Sequence, residues 1–319
     1  MLKKGFRHCT TAWLFALTLG VGMVAAAVSQ PSRGIAVLYP DIGEPYRGVF
    51  ANIIRGIEDQ ARGRVISIAI GASPNPQDIA SELRRQDIRV VIALGRNGLK
   101  AAAHLERDIG VVVGGVVTVP DAEARNFTVS SLAPDPALLF ARLQGFMPAT
   151  RRVFVVYDPG QNAWLMQLAR QAASARGIEL VAREAPDLKT ALHHYQTILA
   201  AMESGRDALW LPLDSTTVHE ASVLPLVLQE AWGRNLTVFS SNVTHVRRGA
   251  LFSLYPNNPE IGRNLAEHAL GYLSSGGQMP RRVIPLKAVL HAVNVRTATH
   301  LGIDIAGKQA GFDLVFPEQ

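Results

Sequence analysis

Asp207-Ala-Leu-Trp-Leu-Pro-Leu-Asp-Ser-Thr-Thr-Val218 is an apolar run that stops abruptly in acidic and hydroxylated residues. Ala208, Leu209, Trp210, Leu211 and Leu213 make a short, nearly continuous hydrophobic segment, the pattern of a strand covered on both faces by helices. Asp214, Ser215 and Thr216 follow at its carboxyl end. Open α/β sheets place ligands at that end, and the same residue types cap helices. The stretch therefore predicts a strand that runs either into a binding site or into the cap of a helix over 218–231.

Working outward, 34–39, 65–70, 90–94 and 111–117 read as strands. Between them, 46–60 carries Val49, Phe50, Ile53, Ile54 and Ile57 at helical spacing, and 77–85 and 98–105 read as further helices. A second series begins with strands at 152–157, 178–183, 208–213 and 236–239 and helices at 163–176, 188–202 and 218–231. Such alternation means βαβ units on parallel sheets with right-handed crossovers. The two series align: Ile35-Ala-Val-Leu-Tyr39 with Val153-Phe-Val-Val-Tyr157 (153 − 35 = 118), and Arg89-Val-Val-Ile-Ala-Leu94 with Asp207-Ala-Leu-Trp-Leu-Pro212 (207 − 89 = 118).

The fold class expected is α/β, two Rossmann-like lobes with parallel sheets. Lobe one takes 34–130 plus about 255–282, and lobe two takes 131–254 plus about 283–319. Asn126–Leu132 reads as the crossing between them, 249–254 as a strand, 260–273 as a helix and 283–295 as an extended segment. Several passes of chain between lobes make a multi-strand hinge that bends about one axis and closes a cleft on a ligand.

At 319 residues, with 48% hydrophobic and 18% charged residues, the chain is globular and long enough for two cores. The first 27 residues read separately. Lys3, Lys4 and Arg7 precede an apolar run from Ala12 to Val24, and Ala25-Ala26-Ala27 supplies small residues for cleavage, the pattern of a secretory signal. Cleavage removes Cys9, the one cysteine, which also stands too early for a lipid anchor, and leaves no disulfide or cysteine metal ligand. It also leaves 29 basic (32 − 3) against 26 acidic residues. That excess is small, and pairs such as Arg84-Arg85 and Arg247-Arg248 form no block, so nucleic acid is not an expected partner.

Catalytic patterns are thin. There is no Gly-x-Ser-x-Gly elbow, Walker loop, His-Glu-x-x-His or Gly-x-Gly-x-x-Gly after a strand, so no catalytic residue, metal or cofactor is expected. His193 and His194 are neighbours on one helix and face different directions. Asp214, Ser215 and His219 fall within one short stretch, whereas triads draw on separate elements. Binding residues are better represented. At the 118 offset Arg96 corresponds to Asp214, each at the carboxyl end of an equivalent strand. This pairing suits a zwitterion: Arg96 with the helix start at Asn97 and Gly98 for a carboxylate, Asp214 for an amine. Tyr39, Tyr46, Trp164 and Tyr255 are the rings available for stacking, or for packing at a lobe edge. Asn162, Ser215, Thr216, Ser240, Ser241 and Asn242, with Ser130 and Ser131 at the crossing, are the polar candidates.

Asp207 to Val218, followed by Gly249-Ala-Leu-Phe-Ser-Leu254, Ile261-Gly262 opening a helix, and Asn294-Val-Arg-Thr-Ala298 with Leu301-Gly302-Ile303, resembles the periplasmic substrate-binding proteins of ABC transporters typified by tryptophan- and tyrosine-binding members. Val91-Ile-Ala-Leu-Gly95 and Tyr157-Asp-Pro-Gly160 with Asn162 extend the resemblance over the chain beyond the signal. It implies a type I periplasmic-binding-protein fold around a small-molecule cleft. Three departures fall on strand ends: Gly95-Arg96-Asn97 where the family reads Gly-Thr, Val117-Thr118-Val119-Pro120 where it has Asp-Pro, and Asp158 where it has Asn. They place Arg96, Asn97 and Thr118 in the cleft wall and leave the ligand open. The function implied is a monomeric periplasmic protein, not an enzyme, that binds an amino-acid-like or aromatic small molecule. It would deliver that solute to the membrane permease of an ABC importer or report it to a membrane sensor protein.

Overall fold

The computed structural model describes residues 34–63, 65–118, 126–278, 280–305 and 311–317. The signal read over 1–27 and the Val119-Pro120 pair lie outside them. β1 (Ile35–Pro40), β2 (Val65–Ile70), β3 (Val90–Leu94), β4 (Gly110–Val116), β5 (Thr128–Pro134) and β11 (Arg282–Leu286) form one sheet in the order β11-β5-β4-β3-β1-β2, every pair parallel. A second sheet contains β6 (Arg152–Tyr157), β7 (Glu179–Glu184), β8 (Asp207–Leu211), β9 (Thr237–Ser240), β10 (Phe252–Pro256), β12 (Val289–Asn294) and β13 (Leu314–Phe316). Its order is β13-β12-β10-β9-β8-β6-β7, parallel except for the antiparallel pair β10 and β12. The run β2-β1-β3-β4 recurs as β7-β6-β8-β9, which is the repeat visible in the sequence.

All five residues of β8 are buried. Successive side chains of a strand point to opposite faces, so Ala208 and Trp210 enter one core cluster and Leu209 and Leu211 another. Phe140 meets the Trp210 ring edge-on at 5.8 Å and Phe239 stacks beside it at 6.5 Å. The strand ends before Leu213, because Pro212 has no N–H for the ladder.

The helices among the described residues are α1 (Tyr46–Ala61), α2 (Pro76–Arg85), α3 (Gly95–Ala102), α4 (Pro136–Phe146), α5 (Pro159–Ser174), α6 (Leu188–Ala201), α7 (Val223–Gly233), α8 (Val243–Arg248), α9 (Asn258–Ser274) and α10 (Val295–His300). The helix expected from 218 starts at Val223. Pro225 explains the shift: it fits the first turn of α7, whereas in a helix from 218 its missing N–H and its ring would disrupt the interior. None of the described helices is long and apolar enough to cross a membrane.

On the first sheet α1 and α9 cross at backbone contact. A Cβ on Gly56 would lie 2.0 Å from the Pro259 carbonyl oxygen, and one on Gly262 would lie 2.0 Å from that of Ile53. Only glycine permits this approach.

The chain passes between the sheets three times: between Pro134 and Pro136, between Pro256 and Asn258, and between Leu286 and Val289. The residues read as a crossing at Asn126–Leu132 mostly belong to β5, and the extended stretch 283–295 divides into β11 in the first sheet and β12 in the second. The passes are tied together, Asp135 N donating to Leu286 O at 2.9 Å and Asn257 N to Ala288 O at 3.0 Å. Asp135 also caps α4 and Asn257 caps α9. Two of the three passes are thus fixed by an Asx cap with a proline in the first helical turn.

Candidate functional site

The carboxyl ends of β3 and β4 face those of β6, β8 and β9 across a cleft of about 560 Å³. From the first sheet come Arg96, Val117 and Thr118. From the second come the loop after β8, the start of α5 at Gln161, and Asn242 and His245 of the α8 start. Gly95 adopts φ +67°, a left-handed turn that leads from β3 directly into α3. The next residue, Arg96, is exposed in the cleft and forms no ion pair among the described residues.

Asp214 is the most connected group of the opposite wall, although only 5% exposed. Its Oδ2 accepts from Asp158 N at 2.7 Å and Asn162 Nδ2 at 2.9 Å; its Oδ1 accepts from Thr216 N at 3.1 Å and Thr217 N at 2.9 Å. A carboxylate offers about four lone-pair sites. All are used within the protein, which leaves none for a ligand amine. Asp214 acts as a bolt between the loops after β6 and β8, and it does not cap α7, which begins nine residues later.

Asp158 extends the bolt. Its Oδ1 caps α5 through Gly160 N at 2.9 Å, and its Oδ2 accepts from Gln161 Nε2 and Thr216 Oγ1, each at 2.9 Å. Burial pushes its carboxyl up, but these hydrogen bonds outweigh burial and hold the pKa below its ordinary value.

The residues singled out in the sequence divide in two. Arg96, Thr118, Asp214 and Ser215 line the cleft. Asn97, Asn162, Ser240 and Tyr39 do not. Asn97 is half-buried in the first turn of α3. Asn162 is fully buried behind Asp214, with its Oδ1 lacking a partner. Ser240 is fully buried beneath the wall, bonded to Leu211 O at 3.2 Å and His245 Nδ1 at 2.8 Å. Tyr39 shares the pleat face of Ile35 and Val37 and packs on their core. Neither Tyr46, Trp164 nor Tyr255 lines the cleft, and among the described residues no Phe, Tyr or Trp does; the rings present are the imidazoles of His219 and His245. His219 turns to Ser222 Oγ at 3.0 Å and forms no triad with Ser215. No group of three potential metal ligands occurs among the described residues.

Gln161, Glu220 and His245 line the cleft without a signal in the sequence, and like Asn242, which follows its strand, they sit on loops or first turns. Burial lowers the His245 pKa from 6.5 to about 4, with Glu220 opposing and Arg248 reinforcing the shift. The imidazole is therefore neutral at neutral pH, and its 3.8 Å approach to Glu220 is a polar contact, not an ion pair. A histidine held below its unfolded pKa is protonated more readily in the unfolded chain. Stability should be fully present above about pH 6.5 and fall as the pH drops toward about 4, by at most about 3 kcal/mol. Urea unfolding between these values, compared with His245→Gln, measures the contribution: the variant should lose less stability over that window.

The geometry is that of two α/β lobes on either side of a cleft. A family model described as ABC transporter substrate binding protein matches residues 56–308. Among curated proteins no sequence match is found. Among solved structures, the chain is similar to a ligand-free, open substrate-binding protein with adhesive properties from Clostridium difficile, at 18% identity and TM-score 0.61, covering 88% of this chain and 98% of that one. It is also similar to an ABC domain in complex with L-Trp from Streptococcus pneumoniae, at 17% identity and TM-score 0.54, covering 88% and 99%. A third similar structure is a conserved domain protein from Vibrio cholerae, at 20% identity and TM-score 0.53, covering 89% and 99%. These likenesses establish the fold, that of type I periplasmic binding proteins.

Proposed function

The chain belongs to the ABC transporter substrate-binding protein family, and from that premise we propose that it is a periplasmic protein that closes on a small amino-acid-like solute and delivers it to an ABC importer. Arg96 carries the reading: it is an exposed cation without an ion-pair partner among the described residues, on the first-sheet wall of a cleft whose other wall is bonded internally. A guanidinium in that position takes a carboxylate by bidentate hydrogen bonds. Glu220 lines the same cleft and is 60% exposed. We assign it the ligand amine in place of the saturated Asp214. Closure about the hinge desolvates both contacts together.

The described lining holds no Phe, Tyr or Trp, only the imidazoles of His219 and His245, which supports a polar or aliphatic solute over an aromatic one. The export signal read over 1–27 supports the periplasm. The family is one of substrate-binding proteins, and the buried Ser240 beside a neutral His245 offers no accessible nucleophile. The expected partner is a membrane permease, approached by a monomer.

A thermal-shift screen against amino acids and small acids tests the reading, since a ligand at 100 times its Kd adds about 2.7 kcal/mol. Calorimetry on the hit should show Arg96→Ala and Glu220→Gln each weakening binding at least tenfold. Unchanged affinity in Arg96→Ala would sink the assignment. Co-purification with a permease supports delivery; co-purification with a membrane sensor protein instead overturns it.

A further inference from the structure

A larger cavity, about 790 Å³, shares no lining residue with the cleft. It is lined by Gly249, which precedes β10, and by Asn294, which ends β12. Because β12 runs antiparallel to β10, with Val293 opposite Phe252, Asn294 stands at the amino end of β10. The cavity therefore opens at the edge of the second sheet opposite the one that faces the ligand cleft.

Its lining is cationic. Arg247, Arg248 and Arg296 border it, and no Asp or Glu occurs among the described lining residues. All three arginines are exposed. Arg296 lies over the Trp232 ring at 5.3 Å, and the His300 ring stacks on Trp232 at 3.7 Å and 6°. His300 Nε2 and the Trp232 carbonyl oxygen are 2.9 Å apart, which ties α10 to the end of α7. Arg247 lies over Phe316 at 5.4 Å, and Arg248 Nη1 donates to Glu220 O at 3.3 Å. A guanidinium held over a ring face keeps its N–H edge available. An arginine so held loses little freedom when it grips an oxyanion. Neither Arg248 nor Arg296 has an ion-pair partner among the described residues, and their like charges border one concave surface.

We propose that this cavity is a second binding site, for a small anion carrying several oxygens, either a polycarboxylate or a phosphate, and that Arg296 on the Trp232 platform is its principal contact. It is separate from the cleft site, to which it is joined through the Arg248 bond to Glu220. The ring of Trp232 is 40% exposed, which gives the site its own reporter.

Citrate and inorganic phosphate, titrated separately at constant ionic strength into the protein, distinguish the two anion sources. One of them should bind with a saturable change in tryptophan fluorescence, at least tenfold weaker in Arg296→Glu and in Trp232→Ala but unchanged in Arg96→Ala. Trp232→Ala removes the reporter, so calorimetry reads that variant. Overturning results are saturable binding of neither anion, binding unaltered in Arg296→Glu, or binding lost in Arg96→Ala and kept in Arg296→Glu, which places the anion in the cleft.

Discussion

Asp214→Ala is expected to destabilise the protein by about 4 kcal/mol, because it strips the acceptor from four N–H groups at once. The Thr217 amide and the Asn162 side-chain amide bond are buried, and those of Asp158 and Thr216 are partly so. A buried donor left without a partner costs about 1–3 kcal/mol, more where the lost acceptor was charged. For a chain of this size the melting temperature should fall by roughly 10 °C. Asp214→Asn keeps the shape but turns an amide N–H₂ toward donors, and should recover less than half of the loss. Thermal and urea unfolding of both variants decides the role of the carboxylate. A loss below about 1 kcal/mol would show that it is not a bolt and is free for a ligand, as the bare sequence allowed.

Gly262→Ala comes second. Its Cβ would meet the Ile53 carbonyl oxygen at 2.0 Å and the Ile57 nitrogen at 2.9 Å, all backbone atoms of α1 that no rotamer change can move. The helices must separate, and the loss of packing beneath them, at Ile53, Ile57, Ile261 and Leu265, adds to the strain. Overpacking of this kind costs about 1–3 kcal/mol and more where backbone must shift, so about 3 kcal/mol is expected, rising further for Gly262→Val. Gly271 lies on the same helix with nothing near its Cβ position. Gly271→Ala should leave stability unchanged or raise it slightly. Equal effects at 262 and 271 in urea unfolding would contradict the close crossing.

The fold was legible where local pattern and tertiary environment agree. β3 and β8 are buried on both faces and read directly as apolar runs. The 118-residue repeat gave the second lobe from the first. Three kinds of element escaped. α4 is announced by Asp135-Pro136, but Leu138, Leu139 and Phe140 make it apolar on adjacent positions, and no clean helical stripe results. α8 and α10 have six residues each and β13 three, too few for a period to show. The crossings are spread over strands that change sheet without a change in composition.

The site was half legible for the same reason. Strand ends can be located from sequence, and Arg96, Thr118, Asp214 and Ser215, which stand at or just after them, line the cleft. Which way a strand-end residue turns depends on the pleat, and Tyr39 shares the parity of Ile35 and Val37, which sends it to the core. Whether a carboxylate is free or saturated depends on amides distant in sequence, here Asp158 and Asn162 against Asp214.

The return of the chain to the first sheet has a consequence for synthesis. α9 and β11 are made after all of β6 to β10, yet α9 packs on α1 and β11 covers the edge of β5. Leu286 follows Pro134 by 152 positions (286 − 134), roughly 8–30 s of elongation at about 5–20 residues per second. Throughout that interval the amino-terminal sheet has a bare strand edge and an uncovered helix face, both adhesive. The lobe that begins first is thus completed only after most of the second has been made, and neither lobe is a contiguous fragment of the chain.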